Sequence, residues 1–233
     1  MLVAIGGLIT LFGATEERGN VPLATTGENT IRLLLRGISI AWKHPKVRLG
    51  GIVATITTTS EFGFLVFLPI YYVRTVGFTL PQWLQILSVM FATNVVANLF
   101  WGWIGDKIGW RRTITFAGAC GCTLTTLGLF YVPHIFGANY ALVMGAGMAY
   151  GIALAGFVSI AAIMSILAPG SQGSAMSIMN LGSGLSTFLG PALAGLFLPR
   201  MGVSGVTWIF AAMYLISAFV SYQLKLPGVR PLR

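Results

Sequence analysis

The chain has 233 residues, of which 56% are hydrophobic and only 8% charged, with a net charge of +9. Soluble domains carry about 25% charged residues, so these residues cannot cover a water-soluble fold, and the chain reads as an integral membrane protein. Its Lys and Arg sit in short segments between apolar runs rather than on one face of a domain. That pattern points to membrane orientation and excludes nucleic acid as a partner.

Residues 1–13, MLVAIGGLITLFG, are apolar but shorter than the ~20 residues a crossing helix needs. No basic leader or good cleavage site marks them as a secretory signal. They read as the back half of a transmembrane helix whose front half is missing. Residues 14–48 form a polar, basic connector. Within it Ile31, Leu34, Leu35, Ile38 and Trp42 fall near one helical face, with Arg32, Arg36 and Lys43 off it. Such a helix rests in the headgroup region or serves as an ordinary soluble linker; both readings stay open.

Six apolar stretches follow, at about 49–72, 82–104, 112–132, 138–163, 173–198 and 203–224. Each is long enough for a crossing helix, and none shows the alternation of a membrane barrel. An even number of crossings puts the connector and the tail (225–233) on one side. That side holds twelve Lys and Arg when the loop at 105–112 is included, against Arg74 and Arg200 on the other. The bias predicts that both ends of the six-span block are cytoplasmic. Trp42, Trp83, Trp101, Trp103, Trp110 and Trp208 lie at or near predicted span ends, where amphipathic rings prefer the interface. Cys120 and Cys122 point in different directions on one helix and suit neither a disulfide framework nor a zinc site.

Between the second and third spans runs WGWIGDKIGWRR, residues 101–112. Gly102 is expected to let helices approach closely, and Gly109 to permit a sharp turn. Asp106 is expected to accept from a helix N-terminus or pair with an Arg. Lys107, Arg111 and Arg112 are expected to anchor the loop to anionic headgroups and helix C-termini. The pattern Gly102, Asp106, Lys107, Gly109, Arg111, Arg112 resembles the G-x-x-x-D-(R/K)-x-G-R-(R/K) loop of the major facilitator superfamily. In that family the loop joins the second and third helices of each six-helix half. Trp110 stands where the family usually has a basic residue, which puts one charge contact in doubt.

The resemblance implies an all-α membrane protein equivalent to the C-terminal half of that fold, with the N-terminal six-helix half missing and 14–48 as the connector between halves. QWLQILSVMFATNVVANLFWGWIGDKIGW and SAMSIMNLGSGLSTFLGPALAGLFLP are further similar to the ribitol and D-arabinitol permeases, the pentitol branch of proton-linked carriers.

Polar groups inside a bilayer are costly and each needs a reason. Glu61 is the only ionisable residue near the middle of a span. A proton carrier there would have to bind and release its proton near neutral pH. The other reading is a Glu61 that pairs with a group on the missing half or sits neutral and hydrogen-bonded, and the resemblance names no acid at this position. Thr57 and Thr58 share a face with Glu61; Asn94 and Asn98 form an i, i+4 pair; Asn180, Ser183 and Thr187 make a stripe on the fifth span. Together they suit a small polar solute such as a polyhydroxylated one, although helix–helix hydrogen bonds would also account for each.

Gly147, Gly151, Ala155 and Ser159, and likewise Gly182, Ser186, Gly190 and Ala194, recur every four residues, as close helix packing requires. Pro191 is expected to bend the fifth span. His44 and His134 read as solvated rather than as ligands. No catalytic or nucleotide-binding constellation is present, so no enzyme activity and no cofactor is expected, and the energy source would be a proton gradient. The sequence thus predicts a secondary transporter in a bacterial inner membrane, taking up a sugar alcohol with protons by alternating access. The rival readings are an organic-acid, sugar or drug carrier of the same superfamily, or a non-transporting membrane scaffold or fragment.

Overall fold

The computed structural model describes residues 45–167 and 172–224, all within one unit, Gly37–Arg233. The expected helix remnant (1–13), the connector up to residue 44 and the tail (225–233) lie outside the described residues.

Four long apolar helices come first: α1 (Pro45–Val76), α2 (Leu80–Ile108), α3 (Trp110–Phe136) and α4 (Tyr140–Leu167). A continuous stretch, Gln172–Gln223, follows, but Gly202 within it has φ 66° and ψ −174°, values no helix contains. It therefore divides into α5 (172–201) and α6 (203–223). Their contacts with α1 show that the chain reverses at this break. On α5, Gly182 lies against Thr55 and Gly190 against Thr59 and Gly63, so the numbers rise together. On α6, Phe210 lies against Gly63 and Ser217 against Thr57, so they run in opposite order. The described residues form an all-helical bundle of six crossing helices with no strand among them. Among the described residues α1 is already helical at 45, ahead of the expected 49, and it ends at 76 rather than 72. Hydropathy marks only the lipid-immersed length, and the helix continues into the interface.

Local chemistry explains the ends. Thr79 and Gln82 form a reciprocal capping box at the start of α2, with Thr79 N–H donating to Gln82 Oε1 at 2.9 Å. Asn139 caps α4 by accepting from Leu142 N–H. Gly77, Gly109, Gly137 and Gly202 carry the positive φ angles at the turns, which residues with a Cβ rarely adopt.

Three helices depart from regular geometry. Just after Pro69, α1 widens into a π-helical segment, Tyr71–Val76. A second π segment, Thr113–Cys120, lies in α3. In α4 the ladder tightens to a 3₁₀ turn at Ala155–Phe157. The α3 and α4 irregularities touch, because Gly118 and Gly156 pack backbone to backbone.

Lipid is as apolar as the core, so packing and interhelical hydrogen bonds hold the bundle together. Phe64, Phe67, Phe157, Tyr150, Phe210 and Tyr214 form its aromatic centre. Tyr150 and Tyr214 share a buried hydrogen bond of 2.8 Å, and Thr115 and Ser221 one of 2.9 Å. Pro133 lacks the N–H that would bond the Leu129 carbonyl; Tyr72 supplies the donor instead, its hydroxyl 2.7 Å from that oxygen.

Candidate functional site

A cavity of 260 Å³ lies among α1, α2, α4 and α5, at the level of the bundle's midplane. Glu61 stands at the middle of α1 and Asn94 at the middle of α2. Six of the polar residues singled out from sequence line it: Thr57, Thr58, Glu61, Asn94, Asn98 and Ser183. Among the described residues, no Lys, Arg or His is in its wall. A larger hollow of 410 Å³ beside His134 opens at the ends of α1, α3 and α6, away from these groups.

Each helix contributes for a local reason. Thr57, Thr58 and Glu61 reach the cavity because they are one turn apart on α1. Thr57 is 6% exposed; its hydroxyl donates to the Val53 carbonyl at 2.8 Å and lies 3.4 Å from Ser217 Oγ on α6. Asn94 Nδ2 donates to the Gly151 carbonyl of α4 at 3.1 Å, and Asn98 Nδ2 donates to Asn94 Oδ1 at 3.2 Å. Thr58, Glu61 and Ser183 make no side-chain hydrogen bond among the described residues, which leaves a carboxyl and two hydroxyls facing the cavity with capacity to spare.

The fourth wall comes from α4, whose Leu154, Phe157, Val158 and Ile160 complete the lining together with Ala54 and Met179. The 3₁₀ turn of α4 falls here. Irregular backbone at membrane depth is tolerated where it lines a cavity or is buried in protein. Gly151 makes the approach of α2 possible: a methyl group there would strike the Met90 carbonyl and Thr93 Oγ1. Sequence reasoning names none of the α4 lining residues, since apolar side chains in an apolar span carry no signal of their own. Only the small-residue repeat of Gly147, Gly151, Ala155 and Ser159 hints at the close crossing.

Asn180 and Thr187 do not line the cavity. Both are exposed on α5, and Thr187 turns its hydroxyl back to the Gly184 carbonyl at 2.7 Å. At about 100° per residue Ser183 is offset about 60° from Asn180 and about 40° from Thr187, and only that edge of the predicted stripe turns to the cavity. The small residues sit at crossings: Gly147 against Ile86, Gly182 against Thr55, and Gly190 against the Thr59 carbonyl and Gly63 N–H. Pro191 lies inside α5, next to that last contact.

In the loop between α2 and α3, Gly109 has φ 98° and ψ 127° and turns the chain. Two expectations are corrected. Gly102 has nothing within 4 Å of where a side chain would start, so it makes no close helix approach among the described residues. Gly105 does so instead, with Ser159 Oγ 3.0 Å and Trp110 Cδ1 3.1 Å from that point. Asp106 pairs with neither an Arg nor a backbone N–H among the described residues; its Oδ1 accepts from Trp110 Nε1–H at 2.7 Å. The indole that replaces a basic residue thus supplies a neutral donor rather than a lost contact. Lys107 Nζ lies 3.6 Å from the centre of the Trp103 ring, and Arg111 stacks over Tyr222 at 5.4 Å.

Comparison with known proteins agrees with this architecture. The sequence pattern of the Major Facilitator Superfamily matches residues 1–161 and 50–231. The chain is 41% identical to the alpha-ketoglutarate permease of Bacillus subtilis over 97% of its length and 51% of the permease. It is 36% identical to the ribitol transporter of Klebsiella pneumoniae over 98% of its length and 54% of that protein. With the D-arabinitol transporter of the same species the identity is 35%, over 83% of this chain and 46% of the transporter. The chain spans about half the length of the curated relatives it matches, and these relatives are transporters rather than enzymes. With six crossing helices, a polar cavity at their midplane and these relatives, the chain belongs to the Major Facilitator Superfamily.

Proposed function

We propose that these residues form one half of a proton-coupled transporter for a sugar alcohol, with ribitol and D-arabinitol as the first candidates. The observation that carries the reading is the convergence of one carboxyl, two amides and several hydroxyls on a mid-span cavity that has no cation in its wall. A neutral polyol needs many donors and acceptors and few fixed charges. Glu61 would carry the coupling proton as the only ionisable group in the lining. A second six-helix bundle would close the cavity from the side where α2 and α5 expose Val95, Leu99, Leu181 and Phe188. The two bundles would rock about the solute, with the loop at Gly109 as a latch at one end.

The charge bias supports a cytoplasmic location for residues 14–48, the Gly109 loop and the C-terminus. The membrane would be a bacterial inner membrane. A second reading, uptake of an organic acid, is favoured by the 41% identity to the alpha-ketoglutarate permease. It requires a cation from outside the described wall.

The test is uptake of labelled ribitol, D-arabinitol and α-ketoglutarate by cells expressing the gene region that encodes this chain. The expected result is pentitol accumulation that an uncoupler abolishes. Accumulation unchanged by the uncoupler would remove proton coupling, and uptake of the dicarboxylate alone would favour the second reading.

A further inference from the structure

A backbone carbonyl sets the amide register in the cavity. The Gly151 oxygen can only accept, so Asn94 must turn its Nδ2 toward it, at 3.1 Å, and its Oδ1 away. That Oδ1 in turn accepts from Asn98 Nδ2 at 3.2 Å. Flipping the Asn94 amide would bring two oxygens together at Gly151, and flipping Asn98 alone would do so at Asn94. The two side chains therefore form a directed ladder that starts on α4 and runs along α2. Its far end is Asn98 Oδ1, an acceptor of fixed orientation with no donor among the described residues.

The remaining lining groups tilt the same way. Glu61 adds acceptor oxygens, joined by a single O–H donor in its proton-loaded form, and the Thr58 and Ser183 hydroxyls donate or accept as required. A solute that brings hydroxyl donors satisfies this wall. A carboxylate brings only acceptors, sets its charge beside Glu61 and meets no Lys or Arg in the lining.

We infer that Asn98 Oδ1, held in register by Asn94 and the Gly151 carbonyl, is the acceptor that makes this cavity select hydroxyl-donating solutes over carboxylate anions. The inference rests on the transport reading above and assigns its specificity to one atom. A site built to pair a solute hydroxyl rejects an analogue lacking it, because the acceptor, covered by the bound solute, is then left unpaired.

The experiment measures uptake of a pentitol and of its monodeoxy analogues by the unmutated protein, Asn98→Leu and Asn98→Gln, with membrane abundance followed by a fluorescent tag. Leu has a similar volume but no acceptor, whereas Gln keeps both the amide donor that Asn94 Oδ1 accepts and a carbonyl acceptor. Asn98→Leu is expected to raise the pentitol KM about tenfold, the size of one lost hydrogen bond, with the maximal rate per molecule little changed. One monodeoxy analogue that the unmutated protein discriminates against is expected to match its parent in Asn98→Leu, and Asn98→Gln is expected to retain the discrimination. A purely structural role for Asn98 would lower abundance or maximal rate without erasing the penalty for one particular missing hydroxyl. An unchanged set of monodeoxy penalties in Asn98→Leu overturns the inference, as does a dicarboxylate that competes with pentitol uptake as well as unlabelled pentitol does. Absence of any pentitol uptake by the unmutated protein overturns the transport reading itself, which separates the two failures.

Discussion

Glu61 sits at the middle of α1 with two hydroxyl neighbours on its own helix and two amides across the cavity, yet no protein donor among the described residues satisfies it. A carboxyl in that position gains little from the bundle, which makes a structural role costly and a role in coupling reasonable. Glu61→Gln keeps the shape and hydrogen-bonding reach but cannot exchange a proton. It is expected to abolish accumulation against a gradient while leaving solute exchange across the membrane, a split read by comparing net uptake with counterflow. Intact accumulation in Glu61→Gln would sink the coupling role. Residues such as Glu61, Asn94 and Asn98 are legible in sequence because the bilayer makes polar groups expensive. Trp110 is harder to read: set against a basic family position it puts one charge contact in doubt, and only the 2.7 Å bond to Asp106 reveals the indole as a donor.

At the scale of elements, the six helices are legible from apolar length, but their irregular stretches are not. The π segments of α1 and α3 and the 3₁₀ turn of α4 arise from how neighbouring helices press on them, and Gly-rich apolar sequence reads the same whether regular or broken. Gly102 and Gly105 illustrate the limit: both are small, three residues apart, and only the observed rotation of α2 decides which one meets α4 and α3. The crossing of α3 and α4 gives a direct stability test. A methyl group at Gly156 would strike the backbone of Ala117 and Gly118, which cannot give way as a side chain can, whereas one at Gly128 meets nothing within 4 Å. Gly156→Ala is expected to destabilise the bundle by about 1–3 kcal/mol, the usual cost of overpacking. Gly128→Ala should stay within about 0.5 kcal/mol. Thermal unfolding in detergent compares the two.

The whole molecule follows an odd–even rule. With six crossings, the start of α1, the Gly109 turn and the end of α6 share one side, while Gly77, Gly137 and Gly202 mark the other. The Lys and Arg bias supports the proposal that the first side faces the cytosol. A membrane-impermeant thiol reagent applied to Lys107→Cys and Ala138→Cys, in a background lacking Cys120 and Cys122, should label residue 138 in intact cells and residue 107 only in inverted vesicles. Labelling of residue 107 from outside would reverse the assignment and, with it, the direction assigned to the latch.

The hydroxyl of Tyr72 on the Leu129 carbonyl links two sites that are far apart in sequence. Pro133 creates the vacancy and the tyrosine fills it, so each makes the other tolerable inside a bilayer. Phenylalanine in place of Tyr72 would strand an oxygen in hydrocarbon, and an ordinary residue in place of Pro133 would compete for the acceptor with its own amide. Drift at either position is therefore constrained by the other, and the pair should be inherited, and exchanged, together.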